Sequence, residues 1–281
     1  MDHCPACCHE FLNNEKKTVC FLCGTCIVPE RRSYEYTDDY PKFRSHFSPI
    51  VQKNKQKSFD LWLKKLNLSI KNKKVLEFGF GSGAVLSHIK EKQAEAYGVE
   101  EVNENIKHAK TLGIPEENLS KSLENFKNNR FDLIVYLDSF EHILNPSKHL
   151  ITLNEVTDKG SQALIVLPRW DSLSRKIMGR LWPHDIADHW IFYSKTGLIN
   201  LWKANGWRPV KSFFPGKYMS LNMIIAHFAL MARIRKTPKL HESYDYSIPI
   251  NFGELGILME RESTHCLEKN STESTEINVG L

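Results

Sequence analysis

From Lys73 onward the apolar residues fall into short runs separated by amphipathic stretches. The runs predict strands at 74–78, 95–100, 131–137 and 161–167, and the stretches between them predict helices at 83–92, 103–112 and 147–157. Strand alternating with helix predicts an α/β fold, a doubly wound, mostly parallel sheet with helices on both faces. Upstream, Phe47 to Leu68 reads as one or two helices with Phe59, Trp62, Leu63 and Leu66 on one apolar face. The lysines around it (Lys53, Lys55, Lys57, Lys64, Lys65) read as a solvated face, with a nucleic-acid patch as the sharper alternative. Downstream, Tyr218 to Lys236 reads as an amphipathic helix with a basic end at Arg233, Arg235 and Lys236, stopped by Pro238, and Ser247–Glu260 as a final strand at the sheet edge. Residues 262–281 are polar, rich in Ser, Thr, Glu and Asn, and read as a disordered tail holding Cys266.

The first strand runs straight into chemistry. Val75-Leu76-Glu77-Phe78-Gly79-Phe80-Gly81-Ser82-Gly83 is an apolar strand ending in an acid, then glycines at alternate positions, then a helix start. Glycine lets a ligand approach the backbone, and the helix adds free N–H groups and a positive dipole end. With Ala84 the spacing also satisfies the dinucleotide fingerprint. A second strand ends in Glu100, about 20 residues on, where that fingerprint asks for an acid that takes the ribose hydroxyls. Ligands of such sheets bind beyond the carboxyl ends of the strands, where Gly79, Glu100 and Asp138 all fall.

A third segment, Phe131 to Pro146, is a buried strand with an acidic exit, Leu137-Asp138-Ser139-Phe140-Glu141-His142, followed by Asn145-Pro146. Together with Glu77, Gly79, Gly81, Gly83 and Glu100 it resembles the class I S-adenosylmethionine-dependent methyltransferases, small-molecule branch, over roughly residues 70–215. The resemblance implies that Glu77, Gly79, Gly81 and Gly83 hold the methionine end of that cofactor and Glu100 its ribose, with Leu137 and Asp138 lining it. Three features depart from the family: Phe80 stands where a cysteine is common, Phe140 replaces a leucine, and Ser120–Glu124 lacks the acid often near the adenine.

Six of the seven cysteines lie in the first 26 residues, a clustering that favours metal over disulfides. Cys4, Cys7, Cys20 and Cys23 form two C-x2-C hooks, which together offer a tetrahedral four-sulfur shell for a structural zinc. Cys8, Cys26, His3 and His9 are surplus. So few residues cannot build a core, so the metal would fold them. The region resembles the "CPxC…CxxC" knuckle that opens many small-molecule methyltransferases. The expected organisation is a zinc-binding knuckle at 1–28, a linker and N-terminal helices at 29–72, a methyltransferase domain at 73–261 with a substrate insert at 168–194, and the tail.

That insert holds Trp170, Trp182 and Trp190, His184 and His189, and Asp171, Asp185 and Asp188. Such groups suit a sugar or another polar ring, or the indoles pack inward as a lid. The segment resembles the "W…D/E-H-x-x-Y/F-F-S" element of the same branch, in which a histidine can serve as base. By that resemblance His189 with Asp188 is the candidate, and His142 the second. A tyrosine found two residues before the acid in some carbon-methylating relatives is Ile186 here, which speaks against carbon methylation.

A net charge of +5 over 281 residues is too mild to demand nucleic acid. The start of the chain lacks an apolar leader core, and the longest apolar stretch, Leu221 to Ala232, is too short to span a bilayer. The expectation is a cytoplasmic enzyme moving a methyl group from S-adenosylmethionine to a small polar acceptor, for instance a sugar-linked one, at oxygen or nitrogen. Two rivals stand: a NAD-dependent oxidoreductase, and an RNA-binding protein using the knuckle and basic helix.

Overall fold

The structure, a computed structural model, describes residues 3–9, 18–31, 48–186, 188–231 and 246–262. The basic end at Arg233, Arg235 and Lys236, most of the 29–44 linker and the tail with Cys266 lie outside the described residues.

Seven strands form the central sheet: β3 (Lys74–Phe78), β4 (Glu95–Val99), β5 (Leu119–Ser120), β6 (Phe131–Leu137), β7 (Thr157–Pro168), β9 (Trp207–Phe213) and β12 (Glu254–Arg261). Their order is β5-β4-β3-β6-β7-β12-β9. The first five run parallel, and β12 is antiparallel to both its neighbours. The helices α2 (Ala84–Glu91), α3 (Asn103–Thr111) and α4 (Pro146–Glu155) fall within a residue or two of the expected spans. The strand order reverses between β3 and β6, so the open crevice lies at their carboxyl ends.

Two expectations change. The single final strand is two, β11 (Ser247–Ile250) and β12, separated by a turn at Asn251–Gly253. Here β11 pairs with β10 (Lys217–Ser220) in a separate ribbon, while β12 enters the main sheet as its next-to-last strand. The edge belongs instead to β9, whose largely exposed pattern and Pro209 suit an outer position. Helix α7 (Leu221–Met231) is shorter at its start than the amphipathic pattern implied, because Lys217–Ser220 is strand.

Among the described residues of the Phe47–Leu68 stretch, one helix forms, α1 (Pro49–Leu66). Proline at its first turn presets the helical φ. Asn67 ends it in a left-handed conformation, with the Leu68 N–H returning to the Leu63 carbonyl at 2.9 Å. Phe59, Trp62, Leu63 and Leu66 bury its apolar face against one side of the sheet, together with Val75, Leu86 and Val135. The other side is aromatic: Tyr136, Phe140, Tyr193, Trp202 and Trp207 pack around α4 and α6 (Lys195–Ala204).

The cysteine hooks belong to that second core. Cys4, Cys20, Cys23 and Ile27 are buried with Phe140, Trp190 and Trp202. Strand β1 (Thr18–Val19) pairs with β2 (Cys26–Ile27), which pairs antiparallel with β8 (Ile191–Phe192) at the end of the insert. The Val28 N–H donates to the Trp190 carbonyl at 2.8 Å, and the Ser194 hydroxyl donates to the Cys23 carbonyl. Gly197, in the first turn of α6, is where the surfaces meet: a Cβ there would lie 2.1 Å from the Thr25 hydroxyl.

The hooks fit a metal. The Sγ atoms of Cys4, Cys7, Cys20 and Cys23 lie within 4.8 Å of one another. Cys4–Cys23 and Cys7–Cys20 are 3.6 and 3.5 Å apart, far from a disulfide bond and near the roughly 3.8 Å edge of a tetrahedron with 2.3 Å zinc–sulfur bonds. Thiols this close cannot all ionise alone. A hydrogen bond from Cys4 brings Cys23 down to about 5 while Cys4 is pushed far up, whereas zinc would hold all four as thiolates. The surplus cysteines take other roles: Cys8 is exposed, and Cys26 is buried with Val28, Trp170 and Trp182.

Metal analysis of the purified protein should find about one zinc at this site. Cys4→Ser with Cys20→Ser should remove it and lower the melting temperature, since two missing thiolates leave the aromatic core open on that side. Protein that carries no zinc when prepared without chelators would contradict this.

Candidate functional site

The glycine turn after β3 leaves room for a ligand. Gly79, Gly81 and Gly83 all have positive φ, at 70°, 53° and 72°. At Gly81 a side chain would meet nothing within 4 Å, so the space beside the backbone is open. The Gly81 N–H donates to one oxygen of Glu100 at 2.8 Å, and the Val102 N–H donates to the other at 3.0 Å. The acid ending β4 thus bridges to the turn ending β3. Phe80, the departure from the family pattern, is buried beside Val85 and Leu86.

Glu77 is 3% exposed, and its Oε2 has no hydrogen-bond partner. Burial pushes its carboxyl up to about 8, against the pull of nearby Lys55. Lys55 itself is held below the ordinary lysine range by burial, although Glu77, Asp138 and Glu100 attract it. Helix α1 therefore places a cation among the three acids of the socket.

Asp138 sits where β6 ends, with φ at 52°, a left-handed conformation that Asp tolerates better than most residues. Both its oxygens accept from Lys217 Nζ at 2.6 Å. Lys217 comes from β10, which α1 holds in place. The Trp62 indole donates to the carbonyls of Pro215 and Gly216, and the Tyr218 N–H donates to the Ser58 hydroxyl. Lys217 also lies 3.5 Å from Glu254, which lies 3.1 Å from His184. Burial alone would raise Glu254, but Lys217 and His184 bring it down to about 2.

Beside this network lies a second polar cluster. The 3-10 turn Phe140–His142 carries Glu141 and His142, and the insert brings His189. Glu141 is 1% exposed and neither carboxylate oxygen has a hydrogen-bond partner. Burial, then repulsion from Asp138, raises it well above the usual carboxylate range. The His142 and His189 rings are 4.8 Å apart. His189 Nδ1 donates to the His184 carbonyl and His142 Nδ1 to the Asp188 carbonyl, both at 2.9 Å. A carbonyl only accepts, so each ring carries a proton on Nδ1, and the lone pair of the neutral ring lies on Nε2. Burial, reinforced by His142, lowers His189 to about 3, so it is neutral at ordinary pH.

The insert keeps its indoles for packing. Trp170, Trp182 and Trp190 are buried, and the Trp182 indole donates to the Phe252 carbonyl at 2.6 Å. Asp171 is held by Arg169 and Asp185 by Arg31, whose guanidinium also donates to the carbonyls of Ile186 and His189.

Of the residues singled out in the sequence, Glu77, Gly79, Gly81, Gly83 and Glu100 come together around the turn. Leu137 is half-buried at the end of β6, and His142, a few residues beyond Asp138, meets His189. What orients the His189 ring is the His184 carbonyl, while the Asp188 carboxylate acts on it electrostatically. Sequence reading missed Lys55, Lys217, Glu254 and the part played by Glu141. Lys55 left a signal: it stands one heptad before Trp62, on the stripe that continues through Phe59 and Leu66. Lys217 left none, since its position depends on a turn that brings β10 back over α1.

The methyltransferase-domain family matches residues 44–212. Among solved structures, an S-adenosylmethionine-dependent methyltransferase from Thermotoga maritima is 16% identical, with 80% of this chain and 97% of that one covered and a TM-score of 0.52. One from Archaeoglobus fulgidus is 18% identical (73% and 94% covered, TM-score 0.51). Magnesium protoporphyrin IX methyltransferase from Synechocystis PCC 6803, solved with bound S-adenosylhomocysteine, is 14% identical (83% and 99% covered, TM-score 0.51). At such identities these structures share the fold. No curated protein matches the chain. The family match selects the S-adenosylmethionine reading over the nicotinamide one: the chain belongs to the methyltransferase-domain family, an S-adenosylmethionine-dependent enzyme on a class I fold.

Proposed function

We propose that this enzyme methylates an oxygen or nitrogen of a small polar acceptor, with the cofactor in the glycine socket and the acceptor beyond Asp138. The observation that carries the reading is the adjacency of two different environments at the carboxyl ends of β3, β4 and β6. One is an open glycine turn flanked by Glu77 and Glu100. The other is a histidine pair whose Nε2 lone pairs are fixed by backbone carbonyls. The cofactor supplies an electrophilic methyl group on a sulfonium. Gly81 and Glu100 offer a backbone turn and a carboxylate to its ribose, and Glu77 a buried carboxylate to its ammonium. His189, with His142 beside it and Asp188 acting through space, offers the lone pair that draws on an acceptor hydroxyl. An amine acceptor would need only to be held in line.

Titration calorimetry tests the socket. S-adenosylmethionine should bind where NAD does not. Glu100→Ala should weaken the affinity at least tenfold, because charge-assisted hydrogen bonds worth roughly 1.5–3 kcal/mol each are lost. Unchanged affinity would remove Glu100 from the ribose.

Glu77 predicts a pH effect. Its carboxyl is raised from 4.5 to about 8 on folding, so the folded state binds the extra proton. The stability this group contributes is full below about 4.5 and is lost as pH rises through about 8. Glu77→Gln should therefore flatten the decline in melting temperature across that window. An identical pH profile in the variant would show that Glu77 ionises freely.

Turnover tests the histidine. His189→Ala should lower kcat by about 10²–10⁴-fold for a hydroxyl acceptor found by screening, with cofactor affinity unchanged. A variant that melts early but turns over normally per folded molecule would make His189 a packing residue.

A further inference from the structure

The Glu141, His142 and His189 side chains make an arrangement that methyl transfer alone does not explain. Each offers one donor atom, and the three donors lie within 4.8 Å of one another. They come from two separate places in the chain, a turn after β6 and the loop before β8. A buried carboxylate with neither oxygen hydrogen-bonded is costly in any protein, and most such groups have a partner. His189 Nε2 lies 3.7 Å from Glu141 Oε1. That is too long for a hydrogen bond. It is close to the roughly 3.0–3.5 Å that separates two donors bound to one ion at about 2.1 Å each.

The histidines are prepared in the way metal ligands are. Both give Nδ1–H to a backbone carbonyl, which fixes the tautomer and leaves the lone pair on Nε2. The same arrangement, an Nδ1–H donated to a backbone carbonyl, on both members of the pair, beside the unpartnered Glu141 carboxylate, points to a shared cation.

We propose that Glu141, His142 and His189 form a second metal site, distinct from the cysteine hooks, that takes a divalent first-row transition ion such as zinc or iron(II). Two imidazoles and one carboxylate suit those ions better than magnesium, which prefers oxygen donors. Three protein ligands leave positions open, as in catalytic rather than structural sites. The ligand expected there is an oxygen of the acceptor, and this part rests on the methyl-transfer reading above. With an ion bound, both Nε2 lone pairs would be spent on the metal and neither histidine would be the base; the ion would instead lower the pKa of a bound acceptor hydroxyl, whose proton would leave to water.

The test is a cobalt(II) titration of the full chain with zinc left in the cysteine hooks, read by absorption and by calorimetry. One equivalent should bind with a visible band that lacks the sulfur-to-metal charge transfer of a thiolate site. Glu141→Gln, which keeps the side-chain volume, and His189→Ala should each weaken that binding at least tenfold. Melting temperature and S-adenosylmethionine affinity, measured in parallel, show that the variants are folded. Folded wild-type protein that takes up no sulfur-free cobalt overturns the site, and so does unchanged cobalt affinity in folded Glu141→Gln. Cobalt uptake by protein that does not bind S-adenosylmethionine supports the site while refuting the cofactor socket. Cofactor binding without cobalt uptake refutes the site alone.

Discussion

The carboxyl edge of the sheet hangs on a contact two residues long, the antiparallel pairing of Cys26–Ile27 with Ile191–Phe192. The insert that carries His189 has little regular structure of its own: a six-residue helix, a 3-10 turn and loop. Its backbone must find hydrogen bonds elsewhere. The segment from Cys23 to Arg31 supplies them, through the pairing itself, the Val28 to Trp190 bond and the Arg31 guanidinium. In return the insert buries the hooks, which are too small to hold a core. The two pieces share one core, so a metal held by the first would be coupled to the geometry of the second.

The same reciprocity governs charge. Lys55 and Lys217 approach the sheet crevice from α1 and β10, and the acids Glu77, Glu100, Asp138 and Glu254 approach from strand ends. Burial penalises the charged forms of Lys55, Lys217, Glu77, Asp138 and Glu254 singly. Asp138, Lys217 and Glu254 escape the penalty by mutual attraction, whereas Glu77 and Glu141 do not. The two acids left raised are those facing the places where a ligand cation or a metal ion is expected. A uniform stabilising network would have paired them as well.

Much of this was legible in the sequence, and the remainder was not for physical reasons. The parallel half of the sheet, its helices and the glycine turn follow from local periodicity and from glycine spacing, which are properties of neighbours in the chain. The antiparallel half reads less well. Residues 207–213 alternate weakly because an edge strand buries only one end, and the break at 251–253 is invisible until β11 finds β10. The gathering of Cys4, Cys7, Cys20 and Cys23 was legible from the C-x2-C spacing. Their seat in the aromatic core was not, because nothing local in Cys26-Ile27 says which strand it will meet. The tryptophans of the insert show the limit most plainly: composition allowed them a ligand or the core, and the structure uses all three as core.

The fusion of hooks and insert also sets an order of events. Cys23 and Ser194 are 171 positions apart in the chain, and Arg31 and Ile186 are 155 apart. Contacts of such long range close slowly compared with the local helices and turns. On a ribosome, the hooks emerge well before the insert that covers them, 171 positions separating Cys23 from Ser194. During that interval the apolar side of the hooks is surface that a chaperone or a neighbouring chain can touch.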